Sequence, residues 1–230
     1  MVRRDVGVMT KIGLVYTSTT PELIELVETE VRDSCGDVEL LSYQDPSILA
    51  DVRDAGFVTT QPASRLIALY LKAAQDGAQA ILNICSSVGE VADSVQPMAA
   101  YLGVPIVRID EEMCFEAARL GSRIGVLATL PTTMEPTKNT IVRAARAINR
   151  HPVLVDGLID GAFGLDQDQF RERMLAKALE LKNQVDVFVF AQGSMAYCEG
   201  FIEERTGIKT LSSPRFGALA LSRALKSLGL

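Results

Sequence analysis

Residues 80–90 read Ala80-Ile-Leu-Asn-Ile-Cys85-Ser-Ser-Val-Gly-Glu90, an apolar run that ends in a polar turn and passes into helix-compatible sequence. A short apolar run closed by turn residues is the pattern of a buried strand, and the residues after the turn have the pattern of a helix start. The carboxyl ends of strands are where open α/β sheets bind ligands. Cys85 therefore stands where unpaired backbone N–H groups and the positive end of a helix dipole are expected to lower a thiol pKa and favour the thiolate. Ser86 and Ser87 add hydroxyl and N–H donors for an anionic substrate group beside it. Against this stands the plain alternative of a small buried hydrophobe, which is what many free cysteines are.

The same stretch recurs in the chain. Residues 80–87 lie without a gap over Val187-Phe-Val-Phe-Ala-Gln192-Gly-Ser194. Upstream, Ile12-Gly-Leu-Val-Tyr-Thr17-Ser-Thr-Thr20 lies over Ile124-Gly-Val-Leu-Ala-Thr129-Leu-Pro-Thr132, sharing the isoleucine, the glycine and both threonines. Downstream, Gly103-Val-Pro-Ile-Val lies over Gly207-Ile-Lys-Thr-Leu. Segments that recur in one order at nearly constant separation mark two similar α/β units. If the units face each other across a cleft, Cys85 and Gln192 take equivalent places on its two sides. The turns after the first strand of each unit carry several hydroxyls, more than helix capping requires, and such turns present donors to an anion.

Over nearly the whole chain these motifs resemble the aspartate/glutamate/hydantoin racemase superfamily, on Ile124-Gly-Val-Leu-Ala-Thr129, on Cys85-Ser-Ser and on the two-part repeat. The resemblance implies an α/β fold of two pseudo-symmetric flavodoxin-like lobes. Each is a four-stranded parallel sheet flanked by helices, with the active site in the cleft between them. It places residues 1–108 and 214–230 in the first lobe, the carboxy-terminal helix crossing back, and 109–213 in the second. It further implies a cofactor-independent enzyme, a dimer, and a small-molecule carboxylate as substrate. In the family a cysteine follows the third strand of each lobe, and one thiol removes a proton while the other returns one to the opposite face. Cys85 matches the first of those positions. Gln192 fills the second, and an amide exchanges no proton at neutral pH. The residues implied to grip the substrate carboxylate are Thr17, Ser18, Ser86, Ser87, Thr129, Thr132, Thr133, Gly193 and Ser194.

Composition narrows the classes further. At 230 residues, with 48% hydrophobic residues and a mean hydropathy of +0.18, the chain can fill one large domain or two compact lobes. A net charge of −6 and a pI near 5.0 leave no basic footprint, so neither nucleic acid nor an anionic membrane surface is expected as a partner. An anionic substrate then depends on local donors. Cys35, Cys85, Cys114 and Cys198 fit no CxxC pattern and His151 is the single histidine, so no metal site is expected. His151 sits at a helix-to-strand junction away from the four turns, and no catalytic role is assigned to it. No glycine-rich nucleotide-binding motif is present, and no cofactor is expected. The stretch Met1-Val-Arg-Arg-Asp-Val lacks the apolar core of a secretory signal, and no run approaches a membrane span. The expectation is a cytoplasmic protein with reduced thiols.

Along the chain, strands alternate with helices as in a parallel sheet. A strand at 11–16 leads to a helix from Pro21 to about Ser34, with Thr19 or Thr20 as its cap. After a strand at 38–41, residues 43–62 are too long for a simple connection. They read as a binding loop or lid, with room for a short helix inside and with Thr59 and Thr60 facing substrate, or equally as a surface connection packed by Ile48, Leu49 and Phe57. Helices at 63–75 and 88–102 flank the Cys85 strand, Gly103 closing the second before a strand at 104–107. Asp110, Glu111 and Glu112 read as first-turn acids favoured by the dipole, and Cys114 as packing. The second unit has a strand at 123–128 and a helix at 135–149. A Gly-rich loop at the cleft mouth spans 156–167, a helix 170–182, and a strand 185–191 delivers Gln192. Tyr197 and Cys198 fall on the next helix; a strand at 208–211 and a helix from Pro214 to about Leu228 close the chain.

Three functions fit these residues. The leading one is a racemase or isomerase in which Cys85 abstracts a proton or adds to the substrate as a thiolate, a second proton coming from water, Tyr197 or another acid. The second is a decarboxylase or related lyase of a malonate-like dicarboxylate, with Cys85 protonating the enolate. It needs only one acid, and the family includes enzymes with the thiol on one side only. The third is a non-catalytic carboxylate-binding protein that keeps the cleft.

Overall fold

The computed structural model describes residues 9–230; the stretch Met1–Val6, read above for targeting, lies outside them. Strands β1 (Thr10–Tyr16), β2 (Val38–Gln44), β3 (Ala80–Ile84) and β4 (Ile106–Arg108) form one parallel sheet in the order β2-β1-β3-β4. Strands β5 (Arg123–Ala128), β6 (Val153–Leu158), β7 (Val187–Phe190) and β8 (Lys209–Leu211) form a second in the equivalent order β6-β5-β7-β8. The central strands are apolar on both faces, as parallel strands under two helical layers must be; Ile12, Leu14, Val15 and Tyr16 are all buried. The strand register reproduces the internal repeat residue for residue. Ile12 pairs with Ala80 as Ile124 pairs with Val187, and Ile81 pairs with Ile106 as Phe188 pairs with Thr210. Gly103 and Gly207 are both left-handed at φ 68° and 72°, ending their helices at matching points.

The helices are α1 (Pro21–Cys35), α2 (Pro46–Ala55), α3 (Thr60–Gln75), α4 (Gly89–Ser94), α5 (Gln96–Leu102), α6 (Glu111–Leu120), α7 (Pro131–Ala147), α8 (Gln167–Leu181), α9 (Glu199–Thr206) and α10 (Ser213–Ser227). Leu23, Val27 and Val31 of α1 and Ala218, Leu221 and Leu225 of α10 cover one face of the first sheet. Leu66, Tyr70 and Ala73 of α3 cover the other. On the second sheet, Met113, Cys114 and Ala117 of α6 join Ile141 and Ala144 of α7 on one face, and Met174, Ala178 and Leu181 of α8 lie on the other. Each sheet is thus covered in part by the helix that comes after the other sheet's last strand. The two crossing helices meet where Gly217 of α10 lies against Ile109, and an Arg223–Glu112 ion pair at 2.7 Å spans them. No helix among the described residues is long and apolar enough to cross a membrane.

Several expected boundaries move. Residues 43–62 hold a full helix and the start of another: Asp45 caps α2 by accepting from Ser47 N, Pro46 occupies its first turn and Gly56 ends it in the left-handed region. Thr59 and Thr60 are taken up in the start of α3. The 88–102 helix is two, α4 and α5, preceded by a 3-10 turn at Ser86–Val88 and broken before Pro97. Helix α7 begins at Pro131, where proline's missing N–H costs nothing, and runs through Pro136. The acidic, Gly-rich stretch from Asp156 shortens to 159–166, because its beginning continues β6. Thr20 stands at the cap of α1 without a side-chain capping bond. Tyr197 and Cys198 lie in a 3-10 segment, Gly193–Cys198, with Cys198 buried in the core beside α8.

Candidate active site

The carboxyl ends of β1, β3, β5 and β7 point into one region between the sheets, which encloses a narrow cavity of about 50 Å³. Its wall takes Ser18 from the turn after β1, Cys85, Ser86 and Ser87 from the turn after β3, and Thr133 from the first turn of α7. Gln192, Gly193 and Ser194 come from the turn after β7. Thr17, Thr129 and Thr132 are not in the wall. Thr17 is buried beside the thiol, Thr129 holds Gln192, and the Thr132 hydroxyl is enclosed without a partner. The rest of the wall is apolar: Leu23, Leu49, Ile84, Leu130, Ala191 and Phe163. Leu49 belongs to α2, whereas Thr59 and Thr60 stay out of the cavity. Phe163 belongs to the 159–166 segment, and the Arg53 guanidinium lies 4.5 Å from its ring centroid, joining the two sides of the mouth.

Cys85 is partly exposed to the cavity, yet so much protein surrounds its sulfur that burial raises the thiol pKa above the ordinary value. Three neighbouring groups oppose this, the Thr17 hydroxyl and the backbone N–H groups of Val88 and Ser87, although the Thr17 hydroxyl lies in no hydrogen bond of ordinary geometry. They hold the rise back without reversing it, and Asp110 adds to it through its charge. The expectation of a lowered pKa is therefore corrected, because it counted the donors of the turn and not the desolvation. The carbonyl of Cys85 accepts from Asn83 Nδ2 at 3.0 Å, and Asn83 Oδ1 accepts from the Tyr70 hydroxyl at 2.8 Å. This buried chain fixes the end of β3 from the α3 side.

Opposite, Gln192 is held. Its Oε1 accepts from Thr129 N at 2.7 Å and lies 3.1 Å from Thr129 Oγ1, while Nε2 donates to Thr129 Oγ1 at 2.8 Å. The carboxamide is thereby turned towards its own sheet's first turn. The two sides of the cavity touch through Ser87 Oγ and Thr133 Oγ1, 2.9 Å apart and both buried.

Beneath the Cys85 turn lies a charged cluster that reading the sequence missed. Arg108 ends β4 with its side chain 3% exposed and forks onto Asp110, donating from Nε at 3.0 Å and Nη2 at 2.9 Å. Nη1 donates to Asp93 of α4 at 2.6 Å and Nη2 to Thr140 of α7 at 2.9 Å. Arg143 of α7 reaches the same Asp93 at 2.6 Å and Glu111 at 2.9 Å. A Cβ on Gly89 would lie 2.4 Å from the guanidinium carbon, so the start of α4 rests directly on it. Asp110 stands at the cap of α6 with Glu111 and Glu112 in its first turn, as read, but it makes no side-chain capping bond and serves as the ion-pair partner of Arg108. The available signal was an arginine two residues before an aspartate in an otherwise apolar strand.

Two like parallel sheets that meet through the ends of their central strands, with the cavity and its single thiol between them, define a two-sheet α/β protein of the racemase type. The Asp/Glu/hydantoin racemase family model matches residues 12–221, and the chain belongs to that family. No curated protein matches by sequence. Among solved structures, glutamate racemase isoform RacE1 from Bacillus anthracis superposes with a TM-score of 0.73 at 14% identity, covering 96% of this chain and 83% of its own. Allantoin racemase from Klebsiella pneumoniae gives 0.63 at 17% identity, over 96% and 89%. An arylmalonate decarboxylase gives 0.54 at 14% identity, over 92% of each. Identities this low speak for the fold.

Proposed function

We propose that this protein is a cofactor-independent racemase or isomerase of a small carboxylate, with Cys85 exchanging the proton at the carbon next to the carboxylate. The observation that carries the reading is the placement of one reactive side chain, the Cys85 thiol, in the cavity between the two sheets of a racemase-family fold. Ser86, Ser87, Thr133 and Ser194 supply neutral donors for the carboxylate, and general acid–base help from one positioned group is worth about 10²–10⁴-fold. Gln192, locked on Thr129, serves as a wall and as a donor through Nε2. Four free cysteines fit a reducing compartment, which supports a cytoplasmic setting.

Solvent deuterium exchange into small 2-substituted carboxylates tests this. Wild type should exchange the proton, and Cys85→Ser should lose at least about 10²-fold in rate. A Cys85→Ser variant that exchanges at the wild-type rate removes the thiol from the mechanism.

A second reading, a decarboxylase or other lyase, is favoured by the thiol's raised pKa together with the immobilised amide opposite. A neutral thiol is ready to protonate an enolate, and that reaction needs no second acid. The pH profile separates the two. If the thiolate is the base, the rate climbs as pH rises towards the raised thiol pKa; if the thiol is the acid, the rate falls as it ionises over the same range. Carbon dioxide release from substituted malonates is the direct assay for the lyase.

A further inference from the structure

The cavity's wall, taken as a surface for recognition, is divided into an apolar part and a neutral donor part. Leu23, Leu49, Ile84, Leu130 and Phe163 supply the first, and hydroxyls, backbone N–H groups and one amide supply the second. Among the described residues, none of the side chains in the wall carries a charge. Neutral donors suit a carboxylate. An α-ammonium group placed here would exchange its water for neutral hydroxyl oxygens, with no carboxylate of the protein to pair it, and burying a charge without an opposite protein charge beside it is disfavoured. The carboxylate whose charge reaches Cys85, Asp110, is 1% exposed and already forked by Arg108 at 3.0 and 2.9 Å. The amide oxygen of Gln192 is likewise taken by Thr129 N.

We infer that the cleft selects a small carboxylate whose reacting carbon bears an apolar substituent and no ammonium group, with Leu49 and Phe163 reading that substituent. The inference rests on the proposed function only in taking the cavity as the substrate site. It separates this chain from any role as an amino-acid racemase. Leu49 and Phe163 come from opposite sides of the cavity and are tied together through Arg53 over the Phe163 ring, so an apolar group between them is enclosed from both sides.

Matched probes in which a methyl group replaces the ammonium test it: isobutyrate against alanine, and 2,3-dimethylbutanoate against both enantiomers of valine. Titration of the full chain, followed by ligand-detected NMR, should give the methyl compound of each pair at least about tenfold tighter binding. Phe163→Ser, at a position already 42% exposed, should weaken 2,3-dimethylbutanoate about tenfold. Leu49→Ala serves the same purpose if the first variant does not fold. Amino acids that bind as tightly as their methyl partners, methyl compounds that do not bind, or folded variants with unchanged affinity would each overturn the inference. Binding is read without turnover: a cleft that binds these acids but exchanges no proton sinks the catalytic reading and leaves this one standing.

Discussion

A thiol's chemistry is decided by what surrounds the sulfur, and at Cys85 two influences compete: donors from its own turn and desolvation by everything packed over it. Desolvation wins, so the resting side chain is a neutral acid that must be ionised before it can act as a base. The turn was legible in residues 85–88, but the cover was not, since it comes from segments far away in the chain. Arg108 illustrates the same limit. In sequence it is one arginine in a short strand, whereas in the fold it holds Asp110, Asp93 and Thr140 together under the Cys85 turn. Arg108→Ala should cost about 3–5 kcal/mol, because it strands the buried Asp110 charge. Arg108→Lys should recover only part of this, since an ammonium cannot reproduce the two-pronged contact. Denaturant midpoints of the two variants measure both effects, and an Arg108→Ala midpoint equal to wild type would show the cluster to be idle.

At the scale of elements, helix α2 is the instructive case. Its cap Asp45, its first-turn Pro46 and its terminal Gly56 were all visible, yet the length of the 43–62 connection left a lid and a surface connection equally open. The helix brings Leu49 to the cavity, which no loop reading placed there. The crossing helices give a sharper test. Glycine inside a helix ordinarily costs about 1 kcal/mol against alanine, so Gly→Ala should stabilise wherever the space allows it. At Gly200 in α9 nothing lies within 4 Å of the added carbon, and Gly200→Ala should raise the melting temperature. At Gly217 in α10 the added carbon would lie 2.8 Å from Ile109 Cα and 2.9 Å from its carbonyl oxygen, both backbone atoms that cannot swing away. Gly217→Ala should therefore destabilise, by about 1–3 kcal/mol as overpacking does. Thermal melts of the two variants should move in opposite directions, and a Gly217→Ala melt that rises would mean the crossing is looser than described.

For the whole molecule, buried ionisable groups link stability to alkali. Burial raises the thiol pKa of Cys85 and Cys114 and the phenol pKa of Tyr16 and Tyr70; desolvation and then the Asp76 contact push Tyr43 up to about 12. Each group keeps its proton in the folded chain at a pH where the unfolded chain has lost it. Their contribution is fully present below the unfolded values, and it is lost as pH rises from about 8.5, the free thiol value, towards the folded ones. Urea midpoints should hold near neutrality and fall steadily above that pH, and a flat profile up to about pH 10.5 would contradict the burial of these groups. The amino-acid sequence by itself determined the two-sheet plan, because parallel strands covered on both faces must be apolar runs, and two such units in one chain repeat visibly at matched register. It also marked the four turns from which most of the cavity's polar wall is drawn, since strand ends and helix starts are local features. Tertiary structure alone decided the apolar wall, the lock on Gln192, the Arg108 cluster and the direction of the Cys85 pKa. Each of these depends on which distant residues come to lie around a side chain, and neither packing nor desolvation is written in the neighbours along the chain.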